Sequence, residues 1–270
     1  MSQSTKKSGY PKFLFGVIVA FALAVSGTDA LAQISDPNVA VNKAGRQRML
    51  SQRIAKAYFQ IGQQVDSDRS KKILDNSVAV FDRQLVELKN YAPTPEIKAT
   101  YQKLETSWLA YKDLLLGAAP SPDNGRKVLN LSEDVLALAH QGTVQLEKHS
   151  ASNAVRLVNV SGRQRMLSQR MAKFYQARAW GVADDKSAAQ FDKARKEFTE
   201  ALQELVVAPA NTSQIKDSLE LVKQQWFFFE NALGQKSGAD KRPQLAVATT
   251  SERILEEMEG VVGLYEKMPK

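Results

Sequence analysis

The feature that most restricts the fold of this chain is an internal duplication. It shows most clearly in the segments AGRQRMLSQRIAK (Ala44–Lys56) and SGRQRMLSQRMAK (Ser161–Lys173), which are identical at eleven of thirteen positions. Later pairs of landmarks keep the spacing of 117 residues with a drift to 119: Phe81 with Phe198, Trp108 with Trp226, and Glu133 with Glu252. A sequence that repeats at this scale predicts two copies of one structural unit. Any fold proposed for the first unit must therefore also fit the second.

Each unit has the apolar periodicity of four amphipathic helices. In the first unit we predict one helix from Pro37, after the N-cap Asp36, and three more over Ser70–Asn90, Glu96–Leu116 and Gly125–Lys148. The second unit repeats this scheme, with breaks near Gly181, Pro209 and Gly234–Pro243. No sustained alternation of period two indicates strands. We therefore predict an all-α protein of two tandem four-helix bundles, over residues 33–149 and 150–270.

The first 32 residues have the pattern of a secretory signal peptide. Three lysines among the first twelve residues precede the uncharged run Phe13–Val25, and Ala30-Leu31-Ala32 offers the small side chains that a signal peptidase reads. An apolar helix of that length spans roughly 20 Å, less than the ~30 Å hydrocarbon core of a membrane. We expect cleavage after Ala32 and export to the periplasm. An uncleaved N-terminal anchor is the alternative.

Composition removes most classes of enzyme. The chain has no Cys and only two His, so it offers no disulfide, no thiol nucleophile, no Cys-ligated metal and no strong candidate for a Ser-His-Asp triad. The acidic pairs at 184–185 and 256–257 are expected to be solvated or capping charges, and no set of residues combines a nucleophile, a base and an oxyanion site. Removing the predicted signal peptide, with Lys6, Lys7, Lys12 and Asp29, lowers the formal net charge from +8 to +6, a modest surplus that does not imply nucleic acid. We predict no catalytic residue, no metal and no cofactor.

The repeated segment gives its helix two different faces. At ~100° per residue, Leu50, Ile54 and Ala57 form the face that the bundle buries. Arg48 lies nearly opposite, and Arg165 has the same setting in the second copy. The residues around Arg48 are small, apolar or amide-bearing: Val41, Ala44, Gly45, Ser51, Gln52, Ala55 and Phe59. A face of this kind indicates close approach by another helix.

An arginine on such a face needs an anionic partner. Burying an unpaired guanidinium costs several kcal/mol. No Asp or Glu occurs between residues 39 and 64 or between residues 151 and 182. The counter-charge for Arg48 and Arg165 must therefore come from elsewhere in the fold or from a ligand, and both possibilities stay open.

The tryptophans, the histidines and the cations near the two arginines are expected to have structural or surface positions and no part in a binding site. Trp108 and Trp226 are expected in the core. His140 and His149 are expected at the surface, because the second unit has Glu259 and Met268 at their positions. The cations that flank the two arginines are expected at exposed or rim positions: Arg46, Arg53, Lys56, Arg163, Arg170 and Lys173.

The segments that begin at Asn42 and Asn159 resemble the P-box of NarX/NarQ-type nitrate and nitrite sensors. The run Arg-Gln-Arg-Met-Leu-Ser-Gln-Arg is closer still to PilJ-type sensor domains, which precede some methyl-accepting chemotaxis transducers. The resemblance implies a periplasmic four-helix bundle that pairs through its first helices. It also implies that Arg48 and Arg165 bind an anion, and that Gly45 and Gly162 let the backbones approach.

The leading hypothesis for function is an exported sensing module that binds a small oxyanion, nitrate or nitrite foremost. Guanidinium suits a planar oxyanion because its fixed fork donates two parallel hydrogen bonds. The alternative is a periplasmic protein-interaction module that docks on a membrane sensor or transducer and binds no small ligand. An enzyme is a third and weaker reading.

The geometry of the junction between the units decides whether Arg48 and Arg165 can meet within one chain. If the chain reverses between Lys148 and Asn153, where serines can cap a helix, Arg48 and Arg165 can face each other inside one chain as a pseudo-dimer. A continuous helix from about Asn130 to Trp180 would instead separate them and favour homodimers. We favour the reversal.

Overall fold

Helix breaks fall where the sequence places proline, glycine and capping side chains. The computed structural model describes residues 1–2, 34–117, 119–150 and 152–268, which form eight α-helices and no strand. The helices are α1 (Pro37–Gly62), α2 (Ser67–Tyr91), α3 (Pro95–Gly117), α4 (Pro122–Ser150), α5 (Asn153–Trp180), α6 (Ser187–Val206), α7 (Ser213–Leu233) and α8 (Arg242–Glu266). The prediction of two tandem four-helix bundles is confirmed.

The predicted signal peptide lies outside the described residues, apart from its first two. In the described part of the chain, no helix combines the length and the apolar character needed to cross a membrane. The eight helices all belong to one compact unit, Ala32–Lys270.

The two units are separated by a reversal of the chain. Helix α4 ends at Ser150, and the Ser152 side chain accepts a hydrogen bond from the Val155 backbone N–H at 3.2 Å to cap α5. Asp36 caps α1 in the same way, accepting from the Asn38 backbone N–H at 2.7 Å. The predicted reversal is confirmed, and a continuous helix through this junction is excluded.

Helix α1 packs against α2 and α4 of its own bundle, and α5 packs against α6 and α8. A stacked aromatic pair fills the core of each bundle. The ring centroids of Phe81 and Trp108 lie 3.9 Å apart, and those of Phe198 and Trp226 lie 4.3 Å apart. The prediction that both tryptophans are core residues is confirmed.

The bundles join where α1 and α5 run side by side in the same direction, and we call this contact the α1–α5 seam. Arg165 contacts Asn42 near one end of the seam, and Gln63 contacts Gln176 near the other. Because α1 is buried both by its own bundle and by α5, residues all round its circumference are inaccessible. The sequence-based expectation of a second helix against the Arg48 face is met within one chain.

Candidate functional site

The seam brings the four predicted site residues together. Arg48 and Arg165 are both 0% exposed. A Cβ atom on Gly45 would lie 3.2 Å from Nη2 of Arg48 and 3.5 Å from Nη2 of Arg165. On Gly162 it would lie 3.2 Å from Nη2 of Arg165 and 3.8 Å from Nη2 of Arg48. The two glycines therefore leave the space in which two guanidinium groups from different units approach each other.

Two asparagines hold the arginines across the seam. Nη2 of Arg48 donates to Oδ1 of Asn159 at 2.7 Å, and Nη2 of Arg165 donates to Oδ1 of Asn42 at 2.8 Å. The Asn159 amide in turn donates to Glu147 at 2.5 Å, and the Asn42 amide donates to Glu266.

No role for these asparagines was predicted from the sequence. Their repeated position, six residues before each arginine, was the available signal. Since each amide group is engaged by a carboxylate, each asparagine presents its oxygen to the arginine of the other unit.

The immediate counter-charges of the two arginines differ. Nη1 of Arg165 donates to Oε2 of Glu259 at 2.7 Å. The first unit has His140 at the position of Glu259, and the His140 Nδ1 lies 3.4 Å from Nη1 of Arg48. Among the described residues Arg48 forms no ion pair. Among the described residues, the fold thus places a carboxylate in direct contact with Arg165 and none in direct contact with Arg48. Glu147, which accepts from the Asn159 amide, acts on Arg48 through its charge alone.

Burial and neighbouring charges shift the pKa values at this position. Burial, followed by the charges of Arg163 and Arg165, lowers the pKa of Arg48 to about 9, so the group stays protonated at pH 7. Burial and the charge of Arg48 lower the pKa of His140 to about 4. His140 is therefore neutral at pH 7, and it neither repels an anion nor compensates Arg48.

His140 and His149 are exposed, as the sequence analysis predicted. The contact between His140 and Arg48 was missed, because no local pattern relates helices α1 and α4.

Lys56 and Lys173 are 0% exposed, and the prediction that they lie at exposed or rim positions is wrong. Nζ of Lys56 contacts Oε1 of Glu252 at 2.5 Å, and Nζ of Lys173 contacts Oε1 of Glu133 at 2.6 Å. Each lysine therefore finds its carboxylate in the last helix of the other unit. This counter-charge allows burial.

Arginines complete these two ion clusters. Arg53 pairs with Glu252, and Arg170 pairs with Glu133. Arg170 is 9% exposed, whereas the remaining predicted rim cations are partly exposed as expected: Arg46, Arg53 and Arg163. Every cation in both clusters contacts a carboxylate. We therefore assign the clusters a structural role in the seam.

Metal binding has no support in the described residues. Across 34–117, 119–150 and 152–268, no three His, Asp or Glu side chains are grouped so that they could hold an ion.

Comparison with known proteins identifies the family. The model of the PilJ family, described as the N-terminal region of type IV pili methyl-accepting chemotaxis transducers, matches residues 30–133 and again residues 148–251. The chain belongs to the PilJ family. The two PilJ matches each contain one copy of the repeated segment, which confirms the predicted tandem arrangement. No curated protein and no solved structure gives a significant match.

Membership of the PilJ family supports a sensing module. The matched residues include both asparagines, both glycines and both arginines of the seam. The PilJ match carries no information about a ligand.

Proposed function

We propose that this PilJ protein is an exported sensing module that binds a small, singly charged oxyanion through Arg48 and Arg165, with nitrate and nitrite as the first candidates. One observation carries the proposal. Two fully buried guanidinium groups converge at Gly45 and Gly162, and among the described residues only one of them contacts a carboxylate. The resemblance of both segments to a P-box supplies the ligand class.

Electrostatics favours an anion at this position. Two buried like charges repel more strongly than they would in water, because the interior has a lower effective dielectric constant. An anion beside Arg48 would offset that repulsion. A planar oxyanion would also accept two parallel hydrogen bonds from one guanidinium.

A thermal-shift measurement tests this proposal. Sodium nitrate and sodium nitrite are compared with sodium chloride at equal ionic strength. At about 100 times Kd, a ligand should stabilise the protein by roughly 2.7 kcal/mol. For a domain of this size that corresponds to a rise in Tm of roughly 5–10 °C.

Arg48→Ala and Arg165→Ala should abolish this rise while the helical circular dichroism is largely kept. Arg126→Ala is the matched control, because Arg126 pairs with Asp123 at the surface of α4. Loss of helix content in both seam variants, with no anion response in the unmodified protein, would show that the arginines are structural.

A protein-interaction module is the second candidate, and an exposed apolar pair favours it. Phe227 and Phe228 of α7 are 61% and 53% exposed, and their rings contact each other at 5.7 Å between centroids. The partner would be a membrane sensor or transducer. Two results together would favour this candidate. The Tm of the unmodified protein would be the same in all three sodium salts, and Phe227→Ser would abolish association with a PilJ-type transducer.

Export is also proposed, from the signal-like pattern of residues 1–32. Mass spectrometry of a periplasmic fraction should find an N-terminus at or near Gln33. Recovery of the full-length chain from the inner membrane would instead indicate an uncleaved anchor.

A further inference from the structure

We propose that the chain binds one anion, held by Arg48 and Arg163 on the His140 side of the seam, and that the Glu259 carboxylate occupies the equivalent place on the Arg165 side. This inference rests on the anion binding at Arg48 that the proposed function includes. It replaces Arg165, which pairs with Glu259, by Arg163 as the second arginine that contacts the anion, and it adds the position and the stoichiometry.

Glu259 shows how an anion is held on the occupied side. Its Oε2 accepts from Nη1 of Arg165 at 2.7 Å and from Nη2 of Arg46 at 2.6 Å. One arginine comes from the seam and the other from its rim, and they belong to different units. A carboxylate is a planar, singly charged group, so Glu259 is a covalently attached example of the proposed ligand.

The repeat relates Arg165 to Arg48 and Arg46 to Arg163. At the place equivalent to the Glu259 carboxylate, the other side of the seam has the His140 ring. Arg48 there contacts the His140 nitrogen and Asn159, whereas Arg165 contacts Glu259 and Asn42. The pair of arginines is present on both sides, whereas the built-in anion is present on one.

Arg163 would exchange its present carboxylate partner for the ligand. Its side chain is 39% exposed, and its Nη2 donates to Oε2 of Glu197 at 2.7 Å. Lys193 lies 4.0 Å from the same carboxylate group and can retain a counter-charge for Glu197 when Arg163 moves.

A solvent groove reaches each side of the seam, and the two grooves differ in the charge of their lining. A groove of about 320 Å³ opens directly onto His140. Its charged lining has three cations and two carboxylates: Arg163, Arg170, Lys193, Glu133 and Glu197. The equivalent groove at Glu259 has three cations and three carboxylates: Arg46, Arg53, Arg69, Glu252, Glu256 and Glu259. The electrostatic potential therefore favours entry of an anion from the His140 side.

The chemistry of the ligand follows from this comparison. A group that replaces the Glu259 carboxylate has two coplanar oxygens and one negative charge. Nitrate, nitrite and small carboxylates such as formate and acetate all have these two properties. The experiment therefore compares these four anions as sodium salts.

Titration calorimetry on the whole chain tests the proposal through two matched pairs of variants. The unmodified protein should bind one anion. His140→Glu should weaken binding at least tenfold, because it adds a carboxylate next to Arg48, and it should raise Tm in the absence of anion. Glu259→Gln should keep the first site and raise the stoichiometry toward two.

The rim arginines form the second pair. Arg163→Gln should weaken binding at least tenfold, whereas Arg46→Gln should change it less than twofold. Circular dichroism checks that all four variants keep their helices, which their exposed or rim positions favour.

Three results would overturn the inference. Two anions bound to the unmodified protein would show that Glu259 blocks nothing. Unchanged binding in His140→Glu and Arg163→Gln, with binding lost in Arg48→Ala, would place the anion between Arg48 and Arg165; the proposed function would then stand and this inference would fail. An unmodified protein that binds none of the four anions would overturn both.

Discussion

At the scale of single residues, the seam shows how a chain can bury cations at the contact between two units. Lys56 has its carboxylate, Glu252, in the opposite unit, and Lys173 has Glu133. A helical wheel correctly placed Arg48 on a face prepared for another helix. It could not place Lys56, because the depth of burial depends on how far α8 reaches over α1.

The Lys56–Glu252 pair makes stability depend on pH. Burial alone would raise the pKa of Glu252, but Lys56 and Arg53 outweigh this effect and hold it at about 2. Since the folded-state pKa lies below the unfolded value, the stabilisation is complete above about pH 4.5 and is lost as the pH falls toward 2. A shift of this size corresponds to roughly 3 kcal/mol.

Glu252→Gln should therefore lower the free energy of unfolding at pH 7, and the difference from the unmodified protein should shrink as the pH falls to about 3. Urea unfolding of both proteins at a series of pH values measures this difference in the free energy of unfolding. A difference that stays constant with pH would mean that ionisation of Glu252 contributes nothing to stability.

At the scale of helices, local chemistry was sufficient for most boundaries. Pro37, Gly181 and the N-cap Asp36 act within one turn of the backbone, so their effect can be predicted without the tertiary structure. The reversal before α5 was harder to predict from the sequence, because neither Gly nor Pro marks it. In the structure, the Ser152 cap shows that α5 begins as a separate helix. Partners between helices, such as His140 with Arg48, depend on packing and had no sequence signal.

The end of α1 provides a test of close packing. A Cβ atom on Gly62 would lie 2.2 Å from the Trp180 ring of α5, so Gly62→Ala forces the indole to move. Overpacking of this kind costs about 1–3 kcal/mol. We expect the urea midpoint to fall accordingly.

Gly260→Ala is the matched control, because no atom lies within 4 Å of the Cβ position in α8. Removing glycine from a helix should stabilise the protein by up to about 1 kcal/mol. Equal effects of the two substitutions would contradict the close approach of Trp180 to Gly62.

At the scale of the whole molecule, the seam completes both bundles. A chain limited to residues 33–150 would expose the face of α1 that α5 covers. That face carries Lys56, and the same half carries Glu133, the residue that pairs with the equivalent Lys173. The first unit is therefore complementary to a second copy of itself.

We expect residues 33–150 to form a homodimer in solution, which light scattering after size-exclusion chromatography can measure. Lys56→Glu in this half should prevent dimerisation, because it would place like charges opposite Glu133. A monomer with full helix content would contradict this view of the seam.

Joining the two units in one chain has a consequence for how the site can change. In a homodimer a single substitution alters both halves of the interface together, so a glutamate that neutralises one arginine must also neutralise its mate. Here positions 140 and 259 are encoded separately and carry His and Glu. Gene duplication has thus released each half from the other's sequence, and mutation can tune one side of the interface while the other preserves the assembly.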